Sequence, residues 1–258
     1  MSPISVIIPC FNGAATLARA LDSCLAQPEA TQILVVDDGS SDASASIVRV
    51  YALRDARVRL LQMPGNGGPA RARNWAALNA NAPLIAFLDA DDEYLPGALA
   101  AAGGHLDAHP REAVIRLDVD YAGFPARLTQ HPQFAQFAAV LSNTVPSSLV
   151  IRRNVLLALG GFPTDEVFRR HGGEDGALSW TLRDIFGQRR LIDARRVRMH
   201  WHAGIHAERF LEIQLGFTDQ DPAAVEATLR ASRAFLDNAS ASVQQLRSLE
   251  ISPGAAAR

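Results

Sequence analysis

Residues 84–99 read LIAFLDADDEYLPGAL. An almost wholly apolar run, Leu84 to Leu88, ends directly against Asp89, Asp91, Asp92 and Glu93. Acids this close repel and raise one another's pKa, so the arrangement is unfavourable unless something cationic sits among them. A metal ion is the evident candidate. The apolar half of the stretch has the length of a buried strand, and the acids stand where that strand ends.

Outward from this point the same pattern repeats. ISVIIPC, QILVVDD, VRLLQM and LIAFLDA are short apolar runs, and AATLARALDSCLA, SDASASIVRVYAL, PARARNWAALNANA and PGALAAAGGHLDAH are helical segments between and after them. Strand-length apolar runs alternating with helices predict parallel strands buried on both faces, hence a Rossmann-like α/β sheet flanked by helices. Ligands of such sheets bind beyond the carboxyl ends of the strands. Those ends read PCFNG, DDGSSD, PGNGG and DADD. Each alone is an ordinary strand-to-helix turn, because Asp, Asn and Ser cap helices and Gly turns the chain. Four in succession, two of them acidic, point to a site.

After about residue 112 the alternation breaks. VIRLDVDYAGF and SSLVIRR read as strands, and FAQFAAVLS, NVLLALG and EDGALSWTLRDIFG as helices. Asp221 and Pro222 open a further helix with Val225, Leu229, Leu236, Val243 and Leu246 at helical spacing, expected to pack on its own domain. The terminal SPGAAAR is expected to be disordered. The expected organisation is residues 1–112 as the regular first half of a domain, 113–204 as the second half of the same domain, and 205–258 as a helical extension and tail.

Composition narrows the function. The 258 residues are 48% hydrophobic, enough for a substantial core, and the net charge of -2 argues against a nucleic-acid partner. All 25 basic residues are Arg, with no Lys, which excludes P-loop NTPases, protein kinases and lysine Schiff-base enzymes. No apolar run approaches the roughly 20 residues of a membrane span, and MSPISVIIPC lacks the basic region of a signal peptide. A cytoplasmic location is expected, compatible with peripheral contact at the inner face of a membrane. Cys10 and Cys24 are too few for a disulfide framework or a cysteine zinc site.

Taken together, SVIIPCFNGAATLARALDSCL, ILVVDDGSSD, GGPARARN, IAFLDADDEYLPGAL, SSLVIRR with LGGF, and GGED resemble the family 2 glycosyltransferases, over roughly the first 190 residues and in that family's order. The resemblance implies the GT-A fold and inverting transfer of a sugar from a nucleoside diphosphate to an acceptor hydroxyl. The acceptor is expected to be a saccharide or a lipid-linked sugar, in polysaccharide, glycolipid or other glycoconjugate biosynthesis. Asp89 and Asp91 match the DXD motif, with Asp89 on the ribose or sugar and Asp91 holding Mn²⁺ or Mg²⁺. One of His200 or His202 is a further metal ligand, and Asp92 is expected to cap the following helix. Pro9, Asp38 and Arg73 fall to the nucleotide pocket, with Asp38 accepting a hydrogen bond from the base. Since a carboxylate can read the imide of uracil or thymine, a UDP- or dTDP-linked donor is expected. Asp175 is implied as the base, with Glu174 orienting the acceptor. The residues leave two other functions open: an inert nucleotide-sugar-binding protein on the same fold, and a haloacid-dehalogenase-like phosphatase, against which the missing lysine counts heavily.

Overall fold

The computed structural model describes residues 1–248. Its strands are β1 (Ile4–Cys10), β2 (Ala30–Asp37), β3 (Val58–Gln62), β4 (Leu84–Phe87), β5 (Glu93–Tyr94), β6 (Val114–Ala122), β7 (Leu149–Arg152) and β8 (Arg189–His200). The helices of the first half are α1 (Leu17–Leu25), α2 (Ser44–Arg54), α3 (Pro69–Asn79) and α4 (Ala98–Ala108). Then follow α5 (Ala126–Thr129), α6 (Phe134–Ser142), α7 (Arg153–Ala158), α8 (Glu166–His171), α9 (Glu174–Phe186), α10 (His206–Gln214) and α11 (Pro222–Ser248).

The strands form one sheet in the order β3-β2-β1-β4-β7-β6-β8-β5. β1 pairs in parallel with β2 and β4, β2 with β3, and β6 with β8. β7 is inserted antiparallel between β4 and β6, and β5 lies antiparallel on β8. The expected α/β sheet is therefore present and is mixed in its second half. Because β4 pairs with β7, residues on both sides of position 112 share a single sheet.

Alternation along the central strands explains their unbroken apolar runs. Ile4, Val6, Ile8 and Ala86 face one core with Leu17, Leu21, Leu99 and Leu106 of α1 and α4. Ile7, Leu34, Ile85 and Phe87 face the other, with Ala72, Ala76, Leu156, Leu178 and Leu182 of α3, α7 and α9. With helices on both faces, these strands are mostly apolar, and the buried polar pair Ser5 and Gln32 is satisfied by a 2.7 Å hydrogen bond between strands.

Three expectations need correction. Asp92 does not cap α4, because Glu93 and Tyr94 first pair with Arg198 and Val197 of β8. The helix then starts at Ala98, after Gly97 in a left-handed conformation. The stripe on α11 is only partly buried: Leu236 and Val243 join Ala239 in the core, whereas Val225, Leu229 and Leu246 face outward. β8 was not foreseen as a strand at all. The SPGAAAR segment lies outside the described residues.

Candidate active site

The loops at the carboxyl ends of β1, β2 and β3 are tied into one surface. Asn12 adopts φ +51°, a conformation that Asn tolerates, and its Oδ1 accepts the Ser41 N–H at 2.9 Å. In return the Asn12 N–H donates to Ser40 Oγ, Gly13 to Ser44 Oγ and Ala14 to Asp42 Oδ2. Asp38 is almost wholly buried, and its two carboxylate oxygens accept the N–H groups of Gly67 and Gly68, each at 2.8 Å. Its side chain therefore braces the glycine loop before α3, each oxygen accepting one backbone N–H. Pro9, partly exposed, pairs with Val36 at the end of β1.

The glycine loop delivers α3, whose consecutive residues Arg73 and Asn74 face different tasks. Asn74 Nδ2 donates to the Phe162 carbonyl and its Oδ1 accepts the Phe162 N–H, both at 2.8 Å. This clamp approaches so closely that a Cβ on Gly161, at φ +81°, would lie 2.3 Å from Asn74 Oδ1. LGGF is thus the turn that carries Phe162 under the site. The Phe162 ring lies edge-on to Phe87 at 5.2 Å, and the Arg73 guanidinium sits over it, also at 5.2 Å.

Arg73 is buried and joins two acids from opposite halves of the chain. Its Nη2 donates to Asp89 Oδ1 at 2.7 Å and its Nη1 to Glu174 Oε1 at 3.3 Å. Burial works against the guanidinium charge, but Asp89, Glu174 and Asp175 outweigh it and hold the group protonated more firmly than usual. Arg73 was expected only on the nucleotide pocket. In the structure it is the central cation of the acidic cluster.

The DADD loop splits its acids by direction. The Asp89 N–H donates to Ser147 Oγ at 3.0 Å, and Ser147 Oγ donates to Asp92 Oδ2 at 2.6 Å. Asp92 is 1% exposed, and burial, with Asp91 and Asp89 beside it, pushes its carboxyl well above the ordinary range. Asp91 points the other way, into partial solvent, where its Oδ2 lies 2.7 Å from His202 Nε2. Arg19 Nη2 meets the Asp91 carbonyl. His200 is directed elsewhere: its Nε2 meets Glu93 Oε1 at 3.1 Å, beside Arg198, which bridges Glu93 and Asp120. Of the two histidines, only His202 is brought to Asp91.

GGED closes the site. Gly172 at φ +76° and Gly173 at φ +95° turn the chain through conformations that other residues rarely adopt, and α9 begins at Glu174. Both acids sit in its first turn, where the helix dipole favours negative charge. Asp175 Oδ1 accepts the Gly176 N–H at 2.7 Å. Burial and the like charge of Glu174 nevertheless raise the Asp175 carboxyl to about 6, against the opposing pull of Gly176 and Arg73. That value suits a group that takes up a proton near neutral pH.

Asp89, Arg73, Glu174 and Asp175 are thus gathered at one end of the sheet, with Asp91 and His202 beside them. Ser147 and Phe162 are the structural partners that motif reading left without a role. Both lie in segments already singled out, SSLVIRR and LGGF, but a hydroxyl and a ring carry no signal of their targets until the chain is folded.

Comparison with known proteins follows the same line. The family model for glycosyl transferase family 2 matches residues 5–156. Succinoglycan biosynthesis protein ExoU of Rhizobium meliloti is 46% identical over 185 residues, 71% of this chain and 49% of its own length. The chain therefore spans about half the length of that relative. Among solved structures, S. aureus TarS 1–349 in complex with UDP superposes with a TM-score of 0.63 at 21% identity, covering 91% of this chain and 70% of that one. The mannosyltransferase PcManGT of Pyrobaculum calidifontis, in complex with GDP-Man and Mn²⁺, gives 0.63 at 20%, covering 96% and 76%. At these identities the two structures establish the fold.

Proposed function

The chain belongs to glycosyl transferase family 2, and on that footing we propose that it transfers a sugar from a nucleoside diphosphate sugar to an acceptor hydroxyl with inversion. The observation that carries this is the Arg73 bridge between Asp89 and Glu174. It joins the end of β4 to the start of α9, where Asp175 follows Glu174.

Inverting displacement needs a base on the face opposite the leaving group, because a hydroxyl is a poor nucleophile at neutral pH. Asp175 is that base in our account: it removes the acceptor proton as the new bond forms. Glu174, held by Arg73, orients the acceptor, and Asp89 meets the ribose or sugar. Asp91 and His202 would hold a Mn²⁺ or Mg²⁺ ion. The donor set fits, since a carboxylate oxygen and an imidazole nitrogen already face one another with solvent access on one side, and diphosphate oxygens complete such sites. When bound, the cation would supply positive charge against the departing diphosphate.

The donor we propose is a UDP- or dTDP-linked sugar, with Asp38 acting through the glycine loop it braces. The similarity to ExoU supports a role in building an exopolysaccharide, with a saccharide or lipid-linked acceptor. No helix among the described residues is long and apolar enough to cross a membrane. We place the reaction at the cytoplasmic face of the membrane, where a lipid-linked acceptor would be met. Incubating the purified chain with UDP-, dTDP- and GDP-sugars and Mn²⁺ should release nucleoside diphosphate from a uridine or thymidine donor. Release from GDP-sugars alone would overturn the donor, and release of inorganic phosphate instead would overturn the reaction class.

A further inference from the structure

At the opposite end of the sheet a second group of ligating side chains has no part in this chemistry. β4 and β6 run in the same direction, so Glu112, just before β6, lies at the end of the sheet away from the DADD loop. There the last turn of α4 presents His105, and His109 follows one turn on, on the same helix face. We propose that His105, His109 and Glu112 form a site for a zinc-class divalent cation, separate from that of Asp91 and His202.

The three side chains each offer one ligand atom, and these atoms all lie within 4.8 Å of one another. Zinc bonds of about 2.0–2.2 Å in a tetrahedral set require spacings of roughly 3.3–3.5 Å, which side-chain rotation on this framework can reach. His109 is already oriented as a ligand: its Nδ1 lies 2.8 Å from the His105 carbonyl, so an Nδ1–H donated there leaves the Nε2 lone pair free. A carbonyl that fixes the tautomer and ring plane in this way is the usual outer partner of a metal-bound imidazole. The two rings are stacked, 4.2 Å apart and 18° from parallel.

Glu112 Oε2 lies 2.8 Å from His105 Nε2, so these two ligand atoms already converge. The side chains of His105 and Glu112 are 13% and 30% exposed, so the pair is partly accessible to solvent. Two arginines stand near. Arg152 spends its guanidinium on the carbonyls of Glu112, Leu106 and His109, and Arg189 lies 3.9 Å from the other Glu112 oxygen. Arg152 thereby fixes the backbone that carries two of the ligands. Two imidazoles with one carboxylate select zinc-like ions over Mg²⁺ or Mn²⁺, which prefer oxygen.

The test is calorimetric titration of the full chain with Zn²⁺ in a D91N/H202A background, which silences the first site. Binding of Co²⁺ is followed in parallel through its visible absorption. Zn²⁺ is expected to bind with one-to-one stoichiometry, and His109→Ala, an exposed change that leaves the His105–Glu112 contact intact, should weaken it by at least about tenfold. Co²⁺ should show the intense bands of a four-coordinate site. Absence of Zn²⁺ binding, or equal affinity in the H109A variant, would overturn the proposal. It would then leave His105 and Glu112 as an ion pair closing the turn from α4 to β6. Because the first site is already removed, neither outcome depends on the proposed transfer reaction.

Discussion

The Glu174→Gln substitution probes the electrostatics of the candidate base without removing it. Asp175 rises from 3.8 to about 6, through burial first and then the like charge of Glu174. A rise of that size corresponds to about 3 kcal/mol of disfavoured ionisation. If the ionised carboxylate is the base, kcat/KM must fall as pH falls through about 6. At pH 5 roughly one molecule in ten would remain competent, a tenfold loss. Glutamine keeps an oxygen for the Arg73 contact but removes the charge, so the acid limb of the E174Q profile should move to lower pH. The stability sign is equally definite. A carboxyl raised on folding binds its proton more tightly in the native state, so its ionisation destabilises the fold above about pH 6, and the effect fades toward pH 4. Asp175→Asn should therefore melt at a higher temperature than the parent at pH 8 and at nearly the same temperature at pH 4. The assays are initial-rate profiles from pH 5 to 9 and thermal melts at both ends. An acid limb that stays near 6 in E174Q would refute the argument, since a group elsewhere would not answer to the charge at position 174.

Asp91→Asn should leave the fold intact while lowering transfer by at least about a hundredfold and weakening metal-dependent donor binding, read by calorimetry with and without Mn²⁺. Ser147→Ala strands the Asp89 N–H and an oxygen of buried Asp92, and should cost about 1–3 kcal/mol of stability in denaturant unfolding. Gly161→Ala combines a positive φ with a 2.3 Å approach to Asn74, and should destabilise by roughly 2 kcal/mol or more. Adding Asn74→Ala removes the clash but also both hydrogen bonds to Phe162, so the double variant should stay well below parental stability in denaturant unfolding.

What the chain discloses before folding follows from how each element earns its burial. β1, β2 and β4 are covered on both faces, so Val6 and Ile7, or Ala86 and Phe87, go to different cores and leave a continuous apolar signal. β8 leaves none. Its Arg190 and Arg195 pair with Asp118 of β6, and Arg198 pairs with Asp120 of β6 and Glu93 of β5. Its strand character thus depends on partners distant in sequence. Asp92 misleads for a related reason: an acid five residues before Gly97 resembles a cap, until the two-residue β5 intervenes. The acids of DADD and GGED were legible as motifs. That Arg73 joins Asp89 to Glu174, and that His202 rather than His200 meets Asp91, depends on how distant loops pack, and spacing in one chain does not encode it.

The central claim is that Asp175 removes the acceptor proton while other residues bind the donor. It is tested most directly by measuring Mn²⁺-dependent nucleotide-sugar binding and sugar transfer side by side in Asp175→Asn. The account predicts donor affinity within about threefold of the parent and transfer reduced by at least about a thousandfold, in line with loss of a general base. Transfer near the parental rate, or loss of donor binding together with transfer, would contradict it.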